Sequence, residues 1–174
     1  MNEAIENMIT RRSIRKYKSD MIPQEIIDQI IEAGTYAASG KNRQPSIIIS
    51  VTNKEMRDKL SRLNAKIWGR ENIDPFYGAP VVLIVLADKN ARTYVYDGSL
   101  VIGNMMLAAH SLNIGSCWIH RAKEEFETDE GKEILKSLGI EGDYEGIGHC
   151  ILGYVEGEEP APLPRKENII YKID

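Results

Sequence analysis

Hydrophobic positions along the chain follow two rhythms: a three-to-four residue spacing and short runs of β-branched residues. Residues 2–10 carry the first, placing Ile5, Met8 and Ile9 on one helical face. An extended stretch then ends at Ile22-Pro23, and Pro23 followed by Gln24 and Glu25 is a good helix start. Ile26, Ile27, Ile30, Ile31 and Ala33 give this second helix a wide apolar stripe, expected to run to about Ala38. Ser39-Gly40-Lys41-Asn42-Arg43-Gln44-Pro45 breaks it with turn-forming residues. Ser46–Val51 follows as a strand, and Thr52-Asn53-Lys54-Glu55 caps a third helix running to about Ile67. Residues 68–78 are the least regular stretch and are expected to form a mobile segment over a site.

Pro80–Ala87 is almost wholly apolar and β-branched, which predicts a central strand covered on both faces. Asp97-Gly98-Ser99 opens a helix that is apolar nearly all round, through Val101, Ile102, Met105, Met106 and Ala109. Such a helix belongs in the core of the domain or at a subunit interface. Ser116–His120 reads as a short strand. Residues 122–138 read as one helix with acidic residues early and Lys132 and Lys136 late, matching the helix dipole. Gly146–Val155 is a further buried strand. Pro160, Pro162 and Pro164 exclude helix or inner strand from the tail. The tail ends in apolar Ile169, Ile170, Tyr171 and Ile173, a pattern that calls for a neighbouring subunit to lie on.

A length of 174 residues fits one domain, 1–174, able to bury about 70% of its unfolded surface. A net charge of −4 argues against a dedicated nucleic-acid or membrane-surface binder. No run approaches the ~18 apolar residues of a membrane span. The first residues lack the basic-then-apolar order of a signal peptide, and Cys117 and Cys150 sit in apolar runs, so a cytoplasmic location is expected.

The basic run Arg11-Arg12-Ser13-Ile14-Arg15-Lys16-Tyr17 reads either as a solvated turn or as an anion clamp. The clamp reading rests on guanidinium groups matching phosphate oxygens bidentately, with a serine hydroxyl completing the shell. Ser39, Asn42 and Gln44 likewise form either a plain helix-to-strand loop or a set of polar groups for a heterocycle edge. His110, His120 and His149 match no closed zinc spacing, so no metal is expected. Walker, GxGxxG and GxSxG patterns are absent. Binding groups without reactive side chains point to a cofactor that carries the chemistry.

Taken in order, these blocks resemble the FMN-dependent nitroreductase family over almost the whole chain. The matching stretches are residues 11–17, residues 39–45, Ala79-Pro80 before a strand, Asp97-Gly98-Ser99, residues 113–119, Gly153-Tyr154 and Pro164-Arg165-Lys166. The resemblance implies an α+β fold, helices covering a mostly antiparallel sheet, and an obligate homodimer whose C-terminal extension wraps the partner around two interfacial FMN sites. It implies that Arg11, Ser13 and Arg165 (or Lys166 in its place) hold the FMN phosphate, with Arg12 close by and Arg15 at the flavin N1/O2 edge. Ser39, Gly40 and Asn42 would come from the other subunit. Trp118, Ile119 and His120 would line the ring, a backbone N–H near His120 addressing N5. His120 is also the candidate for a proton donor.

The activity implied is ping-pong reduction, with NADH or NADPH as hydride donor and a nitroaromatic, quinone or enone as acceptor. Reductive dehalogenation, flavin destruction and a non-catalytic flavin or phosphate-ligand sensor are the alternatives on the same fold. Family members often carry an aromatic residue after the Gln-Pro pair, where this chain has Ser46.

Overall fold

The computed structural model describes residues 1–174. Four strands form one sheet in the order β1-β2-β4-β3, every neighbouring pair antiparallel. They are β1 (Ser46–Val51), β2 (Val81–Asp88), β3 (Gly115–Ile119) and β4 (Tyr144–Gly153). The helices are α1 (Glu3–Thr10), α2 (Gln24–Thr35), α3 (Lys54–Trp68), α4 (Tyr94–Ser111), α5 (Ala122–Glu127) and α6 (Asp129–Ser137). Together they make an α+β architecture.

β2 organises the packing. Its first seven residues are buried, as an apolar run without alternation demands when both faces are covered. Val81, Leu83, Val85 and Ala87 point into a core with Ile27 and Ile30 of α2 and Ile102 and Met105 of α4. Val82, Ile84 and Leu86 point the other way, onto Leu60 of α3, Phe76, Phe126 of α5 and Ile134 of α6. Each such aliphatic side chain contributes about 1.5–3 kcal/mol by leaving water. α4 can lie flat on the sheet because Gly98 has no side chain: a Cβ there would fall 2.6 Å from Ile147 Cγ1. Ile147 is the extra residue of a bulge, since Val85 faces Gly148 while Leu86 faces Gly146.

Several boundaries differ from the sequence reading. α2 stops at Thr35, short of Ala38, and α4 starts at Tyr94, three residues before Asp97. The expected single helix over 122–138 is two, broken at Thr128, whose extended backbone and hydroxyl cap α6 by accepting from Gly131 N–H at 3.1 Å. Gly131 sits against the α5 backbone so closely that a Cβ would fall 2.2 Å from Glu125 O. α1 has the predicted apolar face, but the chain covers it only in part: Ile5, Met8 and Ile9 are 51%, 58% and 54% exposed. The terminal Ile169, Ile170, Tyr171 and Ile173 are exposed too.

Candidate active site

The basic run does not float as a free turn. It runs along the outer edge of β3, where Ser13 bridges Ser116 in parallel and Ile14 N–H donates to Ser116 O at 2.9 Å. Farther on, Tyr17 bridges Val155, Lys18 N–H donates to Tyr154 O and Glu156 N–H to Lys16 O. Ile14 and Tyr17 are buried, and the Tyr17 hydroxyl donates to Ile14 O at 2.7 Å. These pins turn the intervening polar residues to one side. Arg11, Arg12, Ser13 and Arg15 line a cavity of about 840 Å³ together with Met8, Ile9 and residues 160–163 and 165 of the tail. That volume lies within the usual range of small-molecule sites.

The clamp residues are not equivalent. Arg12 Nη1 donates to Ile9 O and Arg11 O, both at 2.8 Å, and so closes the C-terminal end of α1. Arg165 folds back onto its own chain, donating from Nη2 to Leu163 O at 2.8 Å. Arg11 Nη1 and Ser116 Oγ are buried without any hydrogen-bond partner. An unpaired buried guanidinium nitrogen beside a cavity fits an anionic ligand, which supplies the acceptor oxygens it lacks. Beneath the clamp, burial pushes the Cys117 thiol up despite the opposing pull of Arg15, Ser13 and Arg11. Burial also raises Cys150, so neither thiol is an activated nucleophile.

Arg15 reaches out to the segment between α3 and β2, its guanidinium 6.0 Å from the centre of the Tyr77 ring. That segment is irregular, as expected, but it is tied down. The Asp74 carboxylate accepts from Arg57 Nη2, from Ser61 Oγ at 2.6 Å, and from the N–H groups of Phe76 and Gly78 at 2.9 and 2.7 Å. Burial opposes ionisation of Asp74, but these donors outweigh it and hold the carboxyl below its ordinary range.

The loop predicted to address a heterocycle lies elsewhere in the chain. A 3-10 turn spans Gly40–Asn42, with Gly40 N–H donating to the buried Asp97 at 3.0 Å. Asp97 also accepts from the Thr93 hydroxyl at 2.7 Å. Ser39 Oγ accepts from Gln44 N–H, and the Gln44 amide donates to Asn42 Oδ1, both at 3.0 Å. Ser39, Gly40 and Asn42 line none of the clamp cavity, so one chain does not bring the two groups together.

Trp118 and Ile119 close β3, and His120 follows directly. Trp118 lies over Gly148, where a Cβ would fall 2.8 Å from the indole. The Ile119 side chain is buried in the core, so only its backbone can meet a ligand. His120 is exposed. Behind them lies a polar network whose members the sequence reading did not bring together. His149 Nε2 meets Glu125 Oε2 at 2.8 Å, and Nδ1 meets Ile119 O at 3.2 Å. Glu125 Oε1 accepts from Asn64 Nδ2, which also donates to His120 O at 2.9 Å, while Asn64 Oδ1 accepts from Arg121 Nε at 2.9 Å. Asn64, Glu125 and His149 are fully buried. The Arg121 guanidinium in turn lies 4.4 Å from the Trp68 ring centre, with Arg70 at 4.8 Å. No group of three or more His, Cys, Asp or Glu side chains is placed to hold a metal, and no helix is long and apolar enough to cross a membrane.

Comparison with known proteins finds relatives of this chain. The Nitroreductase family model matches residues 8–74 and 67–154. A candidate NADH dehydrogenase/NAD(P)H nitroreductase from Archaeoglobus fulgidus is 32% identical over 164 residues, covering 91% of this chain and 89% of its own. The FMN reductase [NAD(P)H] of Bacillus subtilis is 42% identical over 138 residues, and the chain spans only 53% of its length. The crystal structure of a nitroreductase with bound FMN from Bacteroides fragilis superimposes with a TM-score of 0.89 at 29% identity, each chain covered in full. The pinned basic run, the doubly covered central strand and these matches lead to one assignment: the chain belongs to the nitroreductase family.

Proposed function

We propose that the chain is an FMN-dependent oxidoreductase that acts as a homodimer in the cytoplasm. The observation that carries the proposal is the convergence of Arg11, Arg12, Ser13, Arg15 and Arg165 on one cavity. Within it, a buried Arg11 nitrogen has no partner of its own. Arg11, Ser13 and Arg165 hold the phosphate of FMN, Arg165 exchanging its Leu163 carbonyl for phosphate oxygen. Arg12, engaged with the end of α1, contributes charge from close by. Arg15 supplies positive charge to the N1/O2 edge of the ring, and Trp118, the Ile119 backbone and His120 line it. Ser39, Gly40 and Asn42 come from the second subunit, consistent with their distance from the clamp in a single chain. The exposed apolar face of α1 and the exposed apolar tail are the surfaces that pairing would cover.

When bound, FMN would supply hydride chemistry at N5, taking hydride from NADH or NADPH and passing it to a nitroaromatic, quinone or enone in ping-pong fashion. The chain's own groups bind, orient and polarise. Purified protein tests the proposal. A visible absorption spectrum with flavin bands, and FMN identified by mass after denaturation, is the expected result. A colourless protein that takes up no added FMN refutes it.

A further inference from the structure

The buried network behind β3 has no counterpart among the groups that bind phosphate or ring. From its geometry we infer that Asn64, Glu125 and His149 are positioning residues: they fix the peptide planes on either side of His120 so that its N–H faces the ligand edge. This rests on the FMN reading above.

The strand itself sets the direction. β3 is the outermost strand, paired on one side with β4 and bridged on the other by Ser13. Ser116 O points outward, because it accepts from Ile14 N–H at 2.9 Å. Backbone groups alternate sides along a strand, so the N–H groups of Ser116, Trp118 and His120 share that outward side with the clamp. The strand ends at Ile119, and past it no ladder bond holds the chain. The network takes over at this point. Ile119 O faces inward, paired with His149 across the ladder and met again by its Nδ1 at 3.2 Å, and in a planar trans peptide the next N–H, that of His120, must then point outward. Asn64 holds His120 O on the network side at 2.9 Å, which fixes the following plane as well. His120 N–H has no acceptor in the chain, so it is free for a ligand. Arg121 then turns the chain into α5 with a left-handed φ of 78°, a conformation a non-glycine residue keeps only when its surroundings impose it.

The network is complete enough to impose it. A carbonyl oxygen only accepts, so His149 Nδ1 carries a proton toward Ile119 O. Nε2 and Oε2, 2.8 Å apart, would repel as two bare lone pairs, so a second proton lies between them. Both Glu125 oxygens and both Asn64 heteroatoms are engaged. A buried network in which every group is satisfied resists rearrangement, since each broken bond leaves an unpaired polar atom. Beside it, β4 abuts the start of α5 so closely that a Cβ on Gly146 would fall 2.2 Å from Ala122 O.

The test uses the protein with and without FMN, and three variants. Asn64→Leu removes the donor to His120 O; Asn64→Ser does so without placing an apolar group against Glu125, and makes the same test if the leucine variant does not fold. Glu125→Gln retains every hydrogen bond, its amide donating to His149 Nε2 and its carbonyl accepting from Asn64. In the wild type, the ¹⁵N-resolved His120 amide resonance is expected to shift on adding FMN, and in the Asn64 variants that shift is lost while the clamp still binds FMN. An acceptor nitrogen in the oxidised ring loses its donor, so oxidised FMN is weakened relative to reduced FMN. A change of about ten-fold in that ratio raises the two-electron midpoint potential by about 30 mV. Glu125→Gln should stay within about two-fold of the wild type on the same scale. A purely structural role lowers the melting temperature and leaves both readouts unmoved; that result overturns the inference alone. A wild-type chain that binds no FMN overturns the functional reading and this inference together.

Discussion

Asp74→Asn gives the most direct test of how the segment beside the clamp is held. In the native chain one carboxylate satisfies four donors, two on each oxygen. Asparagine can present its carbonyl to one pair, but its amide N–H₂ then faces the other pair. With Oδ1 kept as oxygen, the group turned toward Arg57 and Gly78 is a donor meeting donors. Hydrogen bonds to a charged group contribute about 1.5–3 kcal/mol each, so losing two costs up to about 6 kcal/mol. The Asp74 side chain is 36% exposed, however, and water can reach the freed donors. Solvent screening reduces the expected loss to about 2–3 kcal/mol. For a chain of this size that is a fall of about 4–12 °C in melting temperature.

The pH dependence is a second handle on the same contact. The folded carboxyl lies below its ordinary range, so its contribution is fully present above the unfolded carboxylate pKa of about 3.9. It is lost as the pH falls through the folded value. The gap between wild type and Asp74→Asn should therefore be widest near neutrality and narrow in acid. Thermal unfolding followed by circular dichroism, at one fixed protein concentration and a series of pH values, measures both. A gap under 1 °C near neutrality (well below the ~4 °C floor), or one that persists unchanged in strong acid, refutes the reasoning.

Three further outcomes are expected. Arg11→Ala weakens FMN binding by about 1.5–3 kcal/mol through loss of a charge-assisted hydrogen bond, checked by fluorescence titration of FMN; unaltered affinity removes Arg11 from the clamp. Gly146→Ala drives a Cβ to 2.2 Å from Ala122 O, a backbone atom that cannot step aside. It should cost about 3 kcal/mol or more in a urea melt, and a neutral result would mean α5 can shift. Cys117 and Cys150 are buried with raised thiols, so a thiol reagent at neutral pH should label neither until denaturant is added.

The parts of the fold legible in the sequence are those where one local signal dominates. Ser46–Val51 and Pro80–Ala87 are β-branched runs flanked by turn residues, and both became strands within a residue or two. α5 and α6 read as one helix in the sequence because charge and apolar spacing continue smoothly across Thr128. The available signal was Thr128 three residues before Gly131, a capping hydroxyl and a position without a side chain. The clamp was visible because its members are adjacent in sequence. The network behind β3 was not, since Asn64, Glu125 and His149 sit 61 and 24 residues apart on three separate elements. His149 also occupies what reads as one more position in an apolar strand. Glu125 in turn sits among the acidic residues of α5's first turn, where a solvated charge is the ordinary reading, so the pair emerges only once the strands and helices are stacked.

α1 has no buried residue and is fastened to α4 by two side-chain contacts, Asn7 to Leu107 O and Thr10 to His110, each at 2.9 Å. Eight residues are too few for a helix to persist in water unaided, since nucleation is unfavourable and a short run repays little of it. In a lone chain α1 is thus the helix with the lowest free energy of local opening, and its amides should exchange with solvent long before those of β2 and β4. Because Arg12 closes the end of this helix, fraying of α1 also frees the first residues of the basic run. In the proposed homodimer the order of this edge would depend on the partner covering Ile5, Met8 and Ile9, and dilution would then weaken FMN binding.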